Sequence, residues 1–199
     1  MTSTLNPRTS LTAAVVSASV TPASRAAVLA GCAVATLSEQ GTPLRRVELA
    51  RLPAAAIHDG LPSDRMDAAV GAVRSSNVIV VVAPAEGAAF SGLLPAFLAA
   101  MPVESWRGKT IVPLLIGGEP TALARFEARL RSRFEALGAR VALGELFDAD
   151  DDFTGFEADA SLTARVDRAI VEALPIPQPL PLQIQADRVQ ILTPVLLAS

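Results

Sequence analysis

The apolar residues of this chain fall into two kinds of run, short continuous stretches and stretches with helical spacing. Five short runs predict β-strands, at residues 11–16, 44–49, 78–82 and 110–116 and around Val141, Leu143 and Leu146. Between these runs, apolar residues recur every three or four positions, which is the spacing of a helix with one buried face. The sequence therefore predicts a strand followed by a helix, repeated five times.

The helical stretches carry start and stop signals of their own. Ser63 is placed to cap a helix, with Asp64 and Asp67 near the positive end of the helix dipole. Gly138 is placed just past the end of another helix, where glycine is common. A further helix is predicted at about residues 91–100. The predicted buried positions are Leu29, Ala33 and Leu37; Met66, Val70 and Val73; Leu123, Phe126, Leu130, Phe134 and Leu137; and Leu162, Val166, Ile170 and Leu174.

The alternation of strands and helices predicts a doubly wound α/β fold. Residues 78–82 contain no polar side chain, as expected for a central strand that is covered on both faces. Five strands favour a flavodoxin-like three-layer sandwich, with a parallel sheet in the order 2-1-3-4-5. Pro113 weakens the fourth strand, because proline has no amide hydrogen to donate to a neighbouring strand.

The chain divides into one domain and two appendages. Residues 1–10 are polar and are expected to form a flexible N-terminal tail. Residues 11–174 contain all the predicted strands and helices and form the flavodoxin-like domain. Residues 175–199 begin with PIPQPLPLQIQ, a proline-rich extension that is expected to be extended.

Charge and composition exclude several classes of function. The net charge of −3 gives no global basic surface for nucleic acid. No apolar run reaches the roughly 18 residues that a membrane-spanning helix needs. Cys32 is the single cysteine, so no internal disulfide forms, and it is expected to pack on a helix face. These features predict a cytoplasmic protein that binds neither membranes nor nucleic acid.

Isolated polar residues give no metal site. His58 is the only histidine and has no cysteine nearby. The acidic cluster at residues 148–152 lacks the glycine and glutamate of a calcium loop, so a solvated loop is the favoured interpretation. The arginines on the polar side of the fourth predicted helix are expected to pair with Glu127 and Glu135 or to be solvated.

Three loops after predicted strands carry small or polar residues, at positions 17–25, 83–92 and 116–120. The carboxyl ends of parallel strands meet at one edge of the sheet, and ligands bind there where the strand order reverses. The first loop has hydroxyls at Ser17, Ser19 and Ser24, followed by Arg25 at a helix start, a combination suited to a phosphate. The alternative is that Ser24 is an ordinary cap and that Arg25 faces solvent. A Walker-type ATP or GTP loop is absent from the sequence.

Several motifs together resemble the NAD(P)H-dependent FMN reductases. They are S-x-x-P-A-S-R after the first strand, A-P followed by F-S-G-L-L after the third, V-P-L-L-I-G-G in and after the fourth, W-R-G-K-T before the fourth and the L-G-A turn. The resemblance implies an FMN site made of Ser17, Ser19, Ser24, Arg25, Pro84, Ala85, Glu86, Gly87, Phe90, Gly117 and Gly118. Ser19, Ser24 and Arg25 would hold the phosphate, and the other loops would line the flavin ring.

The same resemblance implies a reaction and partners. Hydride would pass from NADH or NADPH to flavin N5, with no catalytic side chain required, and reduced FMN would serve a monooxygenase. A homodimer or homotetramer is usual for such proteins. Glu86 and Phe90 stand where the family has an aromatic residue and a tyrosine. The alternatives are therefore a quinone or azo-type reductase that keeps its FMN, or a non-catalytic flavodoxin-like interaction subunit.

Overall fold

A computed structural model describes residues 11–19, 21, 24–85, 92–117, 119–148, 153 and 157–174 of the chain. The strands are β1 (Ala13–Ser17), β2 (Leu44–Glu48), β3 (Val78–Pro84), β4 (Thr110–Gly117), β5 (Arg140–Val141) and β6 (Glu145–Asp148). The helices are α1 (Arg25–Glu39), α2 (Ala54–His58), α3 (Asp64–Ser75), α4 (Leu94–Ala100), α5 (Pro120–Ala136) and α6 (Ala160–Ala173). The predicted tails at 1–10 and 175–199 lie outside the described residues.

The strands form one parallel sheet in the order β2-β1-β3-β4-β5, with β6 also paired to β4. Successive residues of a strand face opposite sides of the sheet, so each strand contributes to two cores. Val15 and Val80 pack with α1 and α6 on one side. Val16 and Val81 pack with α3, α4 and α5 on the other. The predicted flavodoxin-like three-layer sandwich and its strand order are confirmed.

The predicted helix signals also match the structure. The Ser63 hydroxyl accepts a hydrogen bond from the Met66 amide at 3.4 Å and caps α3. Gly138 follows α5 with a φ of +80°, a left-handed conformation that glycine adopts without strain. The predicted ion pair on α5 is present, with Arg131 Nη2 2.7 Å from Glu127 Oε1.

Two helices differ from the sequence prediction. Residues 54–58, for which the sequence patterns predict neither a helix nor a strand, form the short helix α2, which begins after Pro53. Three alanines and an isoleucine favour the helix there, and Ala56 and Ile57 are buried by it. The α-helical part of the fourth helix begins at Leu94 rather than near residue 91.

The predicted fifth strand is broken into β5 and β6. Ile111 pairs with Val141, and Leu114 pairs with Glu145. The chain therefore advances four residues from Val141 to Glu145 while β4 advances only three, so one extra residue lies between β5 and β6. A Cβ atom at Gly144 would lie 2.0 Å from the carbonyl oxygen of Pro113, so only glycine fits this close approach. The prediction that Leu143 lies in the fifth strand was wrong, because the break leaves this residue between β5 and β6, where it is 81% exposed.

The break lies opposite Pro113. The Ala142 amide donates to the Ile111 carbonyl at 2.9 Å, so the Ala142 carbonyl would normally accept from the amide of residue 113. Proline has no amide hydrogen, and the Arg131 guanidinium provides the donor instead. Its Nη2 donates to the Ala142 carbonyl at 3.2 Å and its Nη1 to the Val141 carbonyl at 3.0 Å. Arg131 therefore satisfies the backbone that the proline leaves without a partner.

Candidate functional site

The carboxyl ends of β1, β3 and β4 lie side by side at one edge of the sheet. Ser17 is in register with Val82, and the amide of the following Ala18 donates to the Val82 carbonyl at 2.9 Å. Pro84 is in register with Ile116, and the Ala85 amide donates to the Ile116 carbonyl at 2.6 Å. The chain leaves β1 toward α1 and leaves β3 toward α4, on opposite faces of the sheet. This reversal between neighbouring strands forms the crevice in which such sheets bind ligands.

The serine hydroxyls of the first loop bond to one another. Ser19 Oγ lies 2.5 Å from Ser24 Oγ and 2.6 Å from the Thr21 carbonyl oxygen. Ser24 Oγ accepts from the Ala27 amide at 3.1 Å, which makes it the N-cap of α1. The Ser17 side chain is buried, and its oxygen accepts from the Ser19 amide at 3.4 Å. The structure thus brings these three predicted residues together, and it confirms the capping role of Ser24.

The start of α1 has no negative charge of its own. Its cap, Ser24, is neutral and its first turn contains no acidic residue, while Arg25 occupies the first helical position. The other helices of comparable length differ in this respect. Two aspartates lie in the first turn of α3, and α5 and α6 begin at the carboxylate caps Glu119 and Asp159. Among the described residues, α1 is therefore the long helix whose positive dipole end has no carboxylate in its cap or first turn.

Arg25 also contacts the far side of the crevice. Its guanidinium carbon lies 5.9 Å from the centre of the Phe153 ring, within reach of a cation–π interaction. Phe153 follows β6 and is 6% exposed. The sequence pattern does not reveal this residue, because an aromatic side chain after an acidic run has no periodic apolar neighbours that would assign it to a strand or helix. The contact holds the arginine close to the loop that follows β6.

The second and third loops are described only in part. Pro84 is half-buried and Ala85 is buried at the end of β3. Gly117 is the last residue of β4 and pairs with Asp148 of β6. Four of the predicted cofactor residues, Glu86, Gly87, Phe90 and Gly118, lie outside the described residues. The described part places the end of β3 between those of β1 and β4.

Glu119 supplies a carboxylate at the start of α5. Its two carboxylate oxygens accept from the Thr121 amide at 2.9 Å and from the Ala122 amide at 2.5 Å. The hydrogen bond from the backbone of Thr121, together with those from its side chain and from Ala122, lowers the pKa of this carboxyl. At neutral pH the α5 terminus therefore already holds an anion, in contrast to α1.

The other polar residues that the structure describes form no second site. Among the described residues, no group of three or more histidine, cysteine, aspartate or glutamate side chains could hold a metal ion. Cys32 is half-buried on α1, and burial raises the pKa of its thiol, with a partly offsetting hydrogen bond from Thr163. In the same part of the chain, no helix combines the length and apolar character needed to cross a bilayer.

A parallel sheet in the order β2-β1-β3-β4-β5, with helices on both faces and a reversal between β1 and β3, defines the flavodoxin-like α/β class. The sequence narrows this class further. The family of NADPH-dependent FMN reductases matches residues 11–152, and the chain belongs to that family. It is therefore an oxidoreductase, and FMN is the flavin that its family uses.

Solved structures share this fold. An NADH:FMN oxidoreductase, EmoB, in its apo form is 25% identical, with a TM-score of 0.70 over 84% of this chain and 92% of that one. An oxidoreductase from Corynebacterium diphtheriae is 23% identical, with a TM-score of 0.66 over 82% and 94% of the two chains. The two-electron reduced flavodoxin of Megasphaera elsdenii shares the fold at 16% identity, with a TM-score of 0.54 over 81% and 99%. No curated protein sequence matches the chain significantly.

Proposed function

We propose that this protein is an NAD(P)H-dependent FMN reductase that binds the FMN phosphate at the start of α1. The observation that carries the proposal is the neutral, serine-capped helix start with Arg25 in its first turn, at the strand reversal of a chain in the FMN reductase family. Hydroxyls, first-turn amides and a guanidinium are the donors that a phosphate monoester requires.

The hydroxyl groups at the start of α1 could bind a phosphate by giving up the hydrogen bonds that they make to one another and to the backbone. Ser19 and Ser24 bond to each other and to the Thr21 carbonyl, so a phosphate oxygen would replace bonds that already exist. Such an exchange contributes little net free energy for each hydroxyl. The charge of Arg25 and the helix dipole are then the main sources of phosphate affinity.

The flavin ring is proposed to lie over the ends of β3 and β4. Pro84, Ala85 and Gly117 would line it, together with Glu86, Gly87, Phe90 and Gly118 of the neighbouring loops. Bound FMN supplies the redox chemistry, accepting a hydride from NADH or NADPH at N5, and the protein supplies binding and orientation. No acidic or basic side chain is needed for this role.

A fluorescence titration with FMN tests the site, because binding quenches flavin emission. We expect saturable binding at about 10 µM FMN or tighter. Arg25→Ala should weaken it by about 1.5–3 kcal/mol, or roughly 10- to 150-fold, through loss of a charge-assisted bond. The matched control is Arg133→Ala, which removes an exposed arginine from α5 and should leave the affinity unchanged.

The outcomes separate the alternatives. Equal affinities of Arg25→Ala and the wild type would refute the phosphate site at α1. Absence of FMN binding at about 1 mM would refute the reductase function and favour a non-catalytic interaction subunit. Binding followed by FMN-dependent oxidation of NADH or NADPH would support it.

We further propose that reduced FMN leaves the protein and serves a separate monooxygenase. The hydrogen bond between Ser19 and Ser24 supports this, because hydroxyls that already have partners add little to the affinity for a phosphate. A moderate affinity allows the flavin to be released. Gel filtration of the FMN-loaded protein tests it, and loss of FMN from the protein peak is expected. Retention of FMN with turnover of quinones would instead identify a quinone or azo-type reductase. The same experiment reports whether the protein is the homodimer or homotetramer that we propose.

A further inference from the structure

The outer edge of β2 is a strand edge with free backbone groups. The Ala13 amide donates to the Pro43 carbonyl, and the backbone groups facing β1 therefore belong to every second residue, including Arg45 and Val47. The backbone groups of Leu44 and Arg46 point the other way, away from the sheet. No residue that the structure describes hydrogen-bonds to these outward groups.

A groove of about 690 Å³ runs along this edge between β2 and α3. Its inner wall is apolar and made of small residues of α3, with Val47 and Leu52 beside them. Arg45, Arg46, Arg51 and Arg65 line it together with a single acidic residue, Glu48. Four positive charges against one negative give this surface a net charge of +3, whereas the whole chain carries −3.

The arginines of the groove are only partly neutralised. Glu48 pairs with both Arg46, at 3.0 Å, and Arg51, at 2.5 Å. Arg65 donates to the Arg51 carbonyl at 3.2 Å, which leaves its charge uncompensated. Arg45 is exposed and forms no ion pair with any described residue. Positive charge therefore remains available at the free strand edge, on the face of β2 that packs against α3.

The opposite edge of the sheet is closed by arginines. Arg131 donates to the outward carbonyl of Val141 on β5, and Arg165 Nη2 donates to that of Leu146 on β6 at 2.6 Å. Proteins protect edge strands in this way against pairing with other chains. The contrast between the two edges indicates that β2 is left open for an occupant.

We propose that this groove binds an extended, acidic peptide segment of a partner protein, which adds a strand to β2. The outward backbone groups would supply main-chain hydrogen bonds, and the arginines would pair with alternate acidic side chains. A second copy of this chain fits less well, because β2 against β2 would place arginines opposite arginines.

Binding of a fluorescein-labelled peptide, Glu-Val-Glu-Val-Glu-Val-Glu, to the full chain tests the proposal by anisotropy. We expect a Kd of about 100 µM or tighter that weakens with added salt. The same peptide methylated at every backbone amide nitrogen lacks all of its backbone donors and should bind at least about tenfold more weakly. A peptide with lysine in place of glutamate should not bind.

Variants of the protein separate charge from strand pairing. Arg45→Ala with Arg65→Ala should weaken binding by about five- to tenfold, since exposed ion pairs contribute modestly. Arg46→Pro removes an outward amide hydrogen without disturbing the pairing with β1, and it should bind more weakly than Arg46→Ala. Arg133→Ala is the control on the distant helix α5. Far-UV circular dichroism establishes that each variant is folded.

Three results would overturn the proposal. The first is no binding of the acidic peptide by the folded wild type. The second is equal binding of the N-methylated peptide, or of Arg46→Pro and Arg46→Ala, which would show a nonspecific polyanion surface rather than strand addition. The third is a dimer of the free chain that Arg46→Pro dissociates, which would identify the occupant as a second copy.

Discussion

The substitution of Arg131 tests whether this side chain compensates for the proline in β4. Arg131→Met keeps most of the aliphatic chain but removes the donors to the carbonyls of Val141 and Ala142 and the ion pair with Glu127. An unpaired, buried carbonyl costs about 1–3 kcal/mol, and a partly exposed ion pair on a helix adds about 0.3–0.5 kcal/mol. We therefore expect the free energy of unfolding to fall by about 2 kcal/mol.

The proline allows a sharper form of this test. In a Pro113→Ala background the amide of residue 113 can donate to the Ala142 carbonyl, so Arg131→Met should cost about 1 kcal/mol less than it does in the wild type. Urea unfolding of the four proteins measures this difference, followed by emission of Trp106. That residue is the only tryptophan, is fully buried and becomes exposed on unfolding.

Two results would refute this reasoning. A loss below about 0.5 kcal/mol for Arg131→Met would mean that water satisfies the carbonyls equally well. An equal loss in both backgrounds would mean that the arginine acts independently of the proline. Arg125→Ala, which removes an exposed arginine of the same helix, is the control and should change stability by less than about 0.5 kcal/mol.

Two further predictions concern single sites. Gly144→Ala should destabilise the fold by more than about 3 kcal/mol in thermal unfolding, because its Cβ would lie 2.0 Å from the Pro113 carbonyl oxygen. Gly71→Ala, in the middle of α3 with nothing within 4 Å of its Cβ, should instead stabilise it; similar effects of both would contradict the close approach. Glu119→Gln should lower the melting temperature at pH 7. The pKa of Glu119 is lowered in the folded state, so the ionised carboxylate contributes to stability above the ordinary pKa of glutamate. That contribution is lost as the pH falls through the folded-state pKa. The difference in melting temperature between the wild type and Glu119→Gln should therefore disappear in acid. If the difference in melting temperature did not change with pH, the effect of the substitution would come from the shape of the side chain rather than from its charge.

The strand order and the two cores could be predicted from local patterns. Unbroken apolar runs such as 78–82 predict central strands, and the spacing of Leu123, Phe126, Leu130 and Phe134 predicts the buried face of α5. These signals depend only on neighbours in sequence. The same holds for the Ser24 and Ser63 caps, whose hydrogen bonds span three residues.

The break in the fifth strand could not be predicted in this way. Pro113 and Gly144 are each visible in the sequence, but their contact depends on the register between two strands that are separated by α5. Leu143 was assigned to the fifth strand because the alternation of apolar and polar residues gives no sign of the extra residue that breaks this strand. Phe153 was missed for a related reason, since its contact with Arg25 depends on how two distant loops meet.

The closed edge at β5 and β6 limits the assemblies that the folded protein can form by strand pairing. Open-ended growth by strand pairing requires each chain to offer two available edges, one for the preceding chain and one for the next. In the described sheet, arginine side chains hold the outward carbonyls of Val141 and Leu146, and β2 is the edge left open. Chains that joined through β2 would stop at a pair, because both outer ends of the shared sheet would be closed edges. Fibres that grow by strand pairing would therefore need chains whose sheet has come apart.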